Sequence, residues 1–243
     1  EYDSTNLKHR RLKYLEVAAQ KLVGDLTAVR DGWAVGAPYR TAFTSINNIN
    51  EGKTKFYEIL YAMGTMAQGE LAGERMQIAL SADSQEDEHS CFSDNTHRDF
   101  WLNAEGIANV YYGDYAGYDS TLDGTDDNTT RAVTGYGLDD YLTDAGSTAG
   151  NTLEMALATT KAKYEAIDTN ARAGYPVDVV IMDKTSERAK PIADMIYALT
   201  EEAFGVQDIL EAMEIDGDAW DPEGTACEIG RRRVGKECRS RWS

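Results

Sequence analysis

The side chains best suited to chemistry are concentrated in one short polar stretch, from Gln85 to Asp99, which reads QEDEHSCFSDNTHRD. It contains two of the chain's three histidines, with carboxylates near both. Carboxylate oxygens and imidazole nitrogens together favour binding of a divalent metal ion or iron. The candidate metals are iron and zinc. The same groups could instead form a hydrogen-bond network that fixes a long loop against helix ends. The candidate metal ligands are Glu88, His89, Asp94 and His97.

A second charged group, Glu70, Glu74 and Arg75, lies upstream of this stretch. The two glutamates are four residues apart and therefore share one face of a helix. Carboxylates in helical bundles can hold a pair of iron ions, but such centres use Glu-x-x-His pairs on their helices, and no predicted helix here supplies one. These residues predict either a surface ion pair or a contribution to the pocket beside His89. The other residues expected to line the site are Ser93 and Asp99.

The composition excludes several classes of function. Lys and Arg number 24 against 42 Asp and Glu, which gives a formal net charge of −18, and such a surface repels nucleic-acid backbones. No window approaches the ~20 continuous apolar residues of a membrane span. Three cysteines cannot all pair within one chain: Cys227 could pair with Cys238, or Cys91 with either of them. The chain begins at Glu1 rather than Met, from which we expect a processed or trimmed product.

Apolar residues recur at steps of three and four along several segments, which is the pattern of amphipathic helices. The first forty residues contain one such seam, and we expect it to pack in a core. Further helices are predicted at Lys55–Ser81, Leu153–Ile167 and Ile192–Met213. Only Val177–Met182 looks strand-like, and it has no partner strand. The seam of the first helix consists of Leu12, Leu15, Ala19, Leu22, Leu26, Val29 and Trp33.

The segments between these helices are polar. Residues 82–98 lose all periodicity and predict a long ordered loop, and residues 113–150 predict an irregular excursion with a short helix near Leu138–Leu142. Together these features predict an all-α fold, an up-and-down bundle of about four long helices with a long polar loop and irregular insertions. We expect a bundle domain over residues 1–217 and a basic C-terminal tail over 218–243 that carries two cysteines.

Several motifs are similar to those of one known family. GELAGERM at Gly69–Met76, QEDEHSCFSDNTH at Gln85–His97 and NAEGIANVYYG at Asn103–Gly113 occur here in that order. In this order they resemble the imelysin-like family, which includes the iron-regulated protein A group and was classed as peptidase M75. The resemblance is strong from residue 7 to about 113 and continues to Met213 only as a helical pattern.

The resemblance implies an all-helical protein of the periplasm or outer cell envelope, made as a secreted precursor, with a lipid anchor as one option, and tied to iron acquisition. The family also has a GxHxxE motif in its first half that is thought to hold metal. This chain lacks the motif, since His9 is followed by Arg10, Arg11 and Leu12. The chain therefore resembles the C-terminal half of a family member. Its expected partners are the missing N-terminal half and other envelope iron-uptake proteins.

Three functions remain open at this stage. The leading hypothesis is a binding protein of iron uptake that holds a metal ion or an iron-bearing ligand with the Gln85–Asp99 loop. The second is a metallopeptidase that is active only when both halves are present; no HExxH motif in this chain supports it, and its catalytic residues are unknown. The third is a structural or partner-binding helical module in which the polar loop acts as a lock.

Overall fold

The computed structural model describes residues 9–119, 121 and 128–215. Every element of secondary structure among these residues is a helix, which confirms the predicted all-α class. The only strand-like pairing among them is two isolated β-bridges. The chain divides into two compact units, Glu1–Lys55 and Phe56–Ser243. The predicted boundary at residue 217 and the basic tail with Cys227 and Cys238 lie outside the described residues.

In the part of the chain described, no helix combines the length and the apolar character that crossing a bilayer requires.

The first unit is formed by a long helix followed by a short one and the beginning of a third. They are α1 (His9–Gly32), α2 (Pro38–Thr44) and α3 (Ile49–Gly64), the last of which continues into the second unit. Trp33, just after α1, packs edge-on against Tyr39 and Phe43 of α2, with ring centroids 4.9 and 5.2 Å apart. The expectation that the seam of α1 is buried is wrong: α1 contains no buried residue, because its neighbour within this unit is the short α2.

The second unit holds the hydrophobic core. Its further elements are a π-helical segment (Thr65–Gln77), α4 (Ile78–Ala82), α5 (Thr96–Tyr112), α6 (Leu138–Asp144), α7 (Asn151–Arg172), α8 (Val177–Val180), a 3₁₀ turn (Ile181–Asp183) and α9 (Lys190–Ala212). α9 packs against both α7 and the π segment, and α5 packs against α7. Each contributes fully buried apolar side chains, such as Leu71, Phe100, Leu153 and Leu199, and burying each stabilises the fold by roughly 2 kcal/mol.

The middle of the long helix that starts with α3 is π-helical rather than α-helical. The sequence predicts a continuous α-helix over Lys55–Ser81, whereas Thr65–Gln77 has the wider π turn. π-helical turns are rare and usually short. Gly64, Gly69 and Gly73 lie at or inside this segment, and glycine lowers the preference for a regular α-helix by ~1 kcal/mol relative to alanine. The glycine-rich GELAGERM motif therefore coincides with the irregular part of the helix.

The strand-like interpretation of Val177–Met182 is wrong. This run forms α8 and the beginning of the 3₁₀ turn, and Val177, Val180 and Ile181 are buried. β-branched residues are enriched in strands because they fit a pleated, half-buried surface. The described residues contain no strand with which this run could pair, and a short helical turn buries the same side chains against the core.

The two irregular segments are close to their predicted places. The polar loop runs from residue 83 to 95, and α5 starts at Thr96, so that His97 and Arg98 are helical rather than part of the loop. In the second segment, Tyr115 pairs with Val133 and Tyr118 with Asn128 as isolated bridges. α6 then confirms the predicted short helix near Leu138.

Candidate functional site

The polar loop between α4 and α5 is held by its own backbone and side chains. Asp83 and Asp94 adopt left-handed backbone angles, with φ of 51° and 53°, which reverse the chain at each end of the loop. The amide of Ser90 donates to the Thr96 hydroxyl at 2.9 Å, and the Ser90 hydroxyl donates to the Asp99 carboxylate. Thr96 is fully buried. These bonds fix the loop onto the first turn of α5.

Glu88 is the buried acid of the loop. Its side chain is 5% exposed, and neither carboxylate oxygen makes a hydrogen bond of regular geometry among the described residues. Burial raises the pKa of Glu88 above its ordinary value, the nearby Thr96 hydroxyl opposes this effect, and the negative charges of Asp178, Asp94 and Asp99 raise the pKa further. Among the described residues, the charges that act on this buried carboxyl group are negative, so none of them compensates its charge.

His97 lies in a different environment, on the inner side of α5. Its Nε2 is 3.9 Å from an oxygen of Asp168, a fully buried residue of α7. Burial lowers the pKa of His97; Asp168 acts against this effect, and Arg98 adds to it. Burial therefore favours the neutral imidazole, and its buried Nδ1 makes no hydrogen bond of regular geometry in the described part of the chain.

Arg98 links this end of α5 to its neighbours. Its guanidinium forms an ion pair with Asp168 at 2.8 Å and with Asp119 at 2.8 Å. Arg172 approaches the other oxygen of Asp168 at 2.7 Å. The Arg98 guanidinium also lies 4.9 Å from the ring centre of Trp101, a cation–π distance. The network fastens α5 to α7 and neutralises the charge of Asp168.

The remaining predicted residues of the loop are more exposed. Ser93 is exposed and its hydroxyl donates to the Ser90 carbonyl at 3.3 Å. His89 is half-buried, and its Nδ1 has no partner within the described ranges. Cys91 is also half-buried, and both of its candidate disulfide partners lie outside the described residues.

Glu70 and Arg75 form an ion pair of 3.6 Å on the surface of the π segment, with about half of each side chain exposed. Glu74 is exposed as well. This is the surface-pair alternative that the sequence left open. The loop itself is joined to other elements: the Gln85 side-chain amide donates to the Asp178 carbonyl at 3.1 Å.

The four predicted metal ligands do not come together as one cluster in the described part of the chain. Within the described residues, no three His, Cys, Asp or Glu side chains converge in a way that could hold a metal ion. His97 faces Asp168, whose charge is shared by two arginines that would repel a cation. Glu88 instead lies in the field of Asp94, Asp99 and Asp178. The ligand set stays a prediction.

Sequence reasoning missed the buried charges of α7 and α9. Asp168 lies four residues after Tyr164 and therefore on the same, buried face of α7. This spacing could have indicated from the sequence that Asp168 is buried. Glu202 in α9 is fully buried and accepts a hydrogen bond from the Thr160 hydroxyl at 2.5 Å. Burial raises the pKa of Glu202 to about 8. Thr160 lies three residues after Leu157 on the buried face of α7, and a polar residue at such a position is the sequence signal that could have indicated a buried polar partner.

The family described as Imelysin, peptidase M75, matches residues 1–204. No curated protein matches the chain significantly. The family match extends over most of the chain and includes the polar loop, the π segment and α5 to α7. It supports, at a coarse level, an iron-related protein of the cell envelope. The chain belongs to the imelysin family.

Proposed function

We propose that this chain is a cell-envelope protein of iron acquisition that binds an iron-bearing ligand at the Gln85–Asp99 loop. The observation that carries the proposal is Glu88, a buried acid for which the described residues supply neither a hydrogen bond of regular geometry nor a balancing cation. Burying such a group costs free energy, and a bound cation would remove that cost. Family membership supports iron as the cation.

The geometry favours iron in a chelate over a bare ion. Iron needs several oxygen or nitrogen ligands, and no three His, Cys, Asp or Glu side chains of the described residues are grouped so that they could hold a metal ion. A small chelating molecule would bring most of the ligands itself. Glu88, His89 and Asp94 would then supply the protein's ligands, and His97, held by Asp168, would orient the first turn of α5.

The proposal includes partners and a location that follow from the family. An N-terminal half of the same protein would complete the binding surface, and the whole would lie in the periplasm or on the outer envelope. Other iron-uptake proteins of the envelope would receive the ligand. Binding at a junction would also explain why these residues leave an incomplete set of ligands.

The test is an equilibrium titration of the purified chain with ferric citrate, followed by tryptophan fluorescence. The variant His89→Ala plus His97→Ala is expected to bind about tenfold more weakly, the effect typical of losing ligands or the groups that orient them. The control is His9→Ala, which removes the third histidine, in α1, far along the chain from the loop. Equal affinity of the double variant and the control would contradict the proposal.

One observation favours a second function, that of a structural lock. The network of Arg98, Asp168 and Arg172 fastens α5 to α7, and such a network could hold the loop without any ligand. Under this alternative the double histidine variant loses thermal stability, while ferric citrate changes the stability of neither protein. A peptidase role has less support, because no assembled set of ligands and general base is found in the described residues.

A further inference from the structure

The long helix α1 exposes a continuous apolar seam. Most of its large apolar side chains are roughly half exposed, including Leu15 at 51%, Leu22 at 59% and Val29 at 61%. A contiguous stripe of this kind on a folded protein marks an interaction surface. The seam has the strict alternation of steps of three and four that defines a heptad repeat. In heptad notation, positions a are Leu12, Ala19 and Leu26, and positions d are Leu15, Leu22 and Val29.

The residues that flank the seam indicate which kind of helix would pack against it. In a parallel two-stranded coiled coil, each g residue faces the e residue five positions later on the other helix. Arg11 at g would face Glu16 of a second copy, and Asp25 at g would face its Arg30. Both pairs have opposite charge.

The pair between these two is apolar. Ala18 at g would face Val23 at e, which widens the stripe in the middle of the helix. Glu16 and Asp25 also pair along their own helix, with Lys13 and Lys21 at 3.0 and 2.9 Å. These internal pairs are exposed, so a second helix would add partners to them without requiring their burial.

We infer that α1 is a homodimerisation helix, in which the seam of one copy packs in parallel and in register against the seam of a second copy. The occupant is a second copy rather than an unrelated helix because the charge pattern of this one helix is complementary to itself. The part of the seam open to a second copy ends at Val29, because the ring of Trp33, the last residue of the seam, already packs against α2. The dimer would place two chains side by side, each with its own polar loop.

Sedimentation equilibrium of the purified chain at micromolar concentrations tests the inference. The wild type is expected to be dimeric, and Leu22→Glu at the centre of the seam is expected to raise the dissociation constant by about 100-fold, because it buries two like charges against each other. Val17→Glu is the matched control: Val17 is 49% exposed on the outer face of α1, and this variant should remain dimeric. A monomeric wild type, or equal association of the two variants, would overturn the inference.

A charge exchange tests the parallel register. Glu16→Arg should weaken the dimer by roughly tenfold through repulsion from Arg11 of the other copy. Adding Arg11→Glu restores opposite charges and should restore association. Helix content, measured by circular dichroism, should stay unchanged, because both residues are exposed. A dimer that Glu16→Arg leaves unaffected, or that the second change fails to restore, would contradict the parallel arrangement.

Discussion

At the scale of single residues, two buried carboxyl groups near the start of α5 have opposite surroundings. Asp168 is flanked by Arg98 and Arg172 at 2.8 and 2.7 Å. Glu88 forms no ion pair with a cation of the described residues, and the negative charges of Asp178, Asp94 and Asp99 act on it. A buried carboxylate that is paired with arginines has a structural role, whereas a buried carboxylate without a paired cation can still bind a metal cation. This contrast separates the network that holds α5 from the candidate binding residue.

The balance at Asp168 predicts a large loss of stability in Asp168→Asn. The amide keeps the size but removes the charge that pairs with buried Arg98, so unfolding in urea should show a loss of ~3 kcal/mol. The control is Asp194→Asn, whose 2.9 Å pair with Lys163 is more exposed and should cost under about 1 kcal/mol. Equal small losses in both variants would show that the network is not a structural element.

Glu202 predicts a dependence of stability on pH. Its pKa is raised from 4.5 to about 8 in the folded chain. Between these values the folded state retains a proton that the unfolded state has lost, so the free energy of unfolding falls by at most ~1.4 kcal/mol per pH unit as the pH rises.

Glu202→Gln removes this titration. The free energy of unfolding of the variant minus that of the wild type should therefore be larger at pH 8 than at about pH 5. Urea unfolding of both proteins at both pH values measures this difference. A difference between the two proteins that does not change with pH would contradict the assignment of a protonated Glu202 at neutral pH.

At the scale of elements, the positions of the helices were more predictable than what covers their apolar faces: α1 and α6 are helical as predicted, but the seam of α1 is exposed. The seams near Leu153 and Ile192 predict α7 and α9 because their apolar periodicity is matched by a partner helix. The seam of α1 has the same periodicity but no core to fill within its unit. Periodicity indicates which face is apolar, and it does not indicate what covers that face.

The contact between α7 and α9 predicts the effect of a single methyl group. A Cβ added at Gly205 of α9 would lie 2.5 Å from the backbone nitrogen of Leu153, so Gly205→Ala must separate the two helices. We expect a loss of ~1–3 kcal/mol in thermal or urea unfolding.

Gly106 in α5 provides the matched control for this change. An added Cβ there meets no atom within 4 Å, so Gly106→Ala should stabilise the protein by about 0.5–1 kcal/mol through helix propensity. A Gly205→Ala variant that is as stable as Gly106→Ala would contradict the close approach.

At the scale of the whole molecule, the sequence indicated which residues could do chemistry but not which distant residues contact them. The polar loop could be recognised because its ligand types are neighbours in the chain. Asp168 and Arg172 could not be assigned to it, because they are distant in sequence and meet α5 only through the packing of α7 on α5. For the same reason His97, adjacent to the loop in sequence, turned out to face Asp168 rather than Glu88.

The most direct test of iron binding is elemental analysis after the chain has been incubated with ferric citrate and separated from unbound iron. The wild type is expected to retain about one iron per chain, and Glu88→Gln is expected to retain almost none. Glu187→Gln is the control for unspecific binding to an acidic surface, since Glu187 is 90% exposed, and it should match the wild type. Iron that is absent from the wild type, or retained equally by Glu88→Gln, would contradict the account.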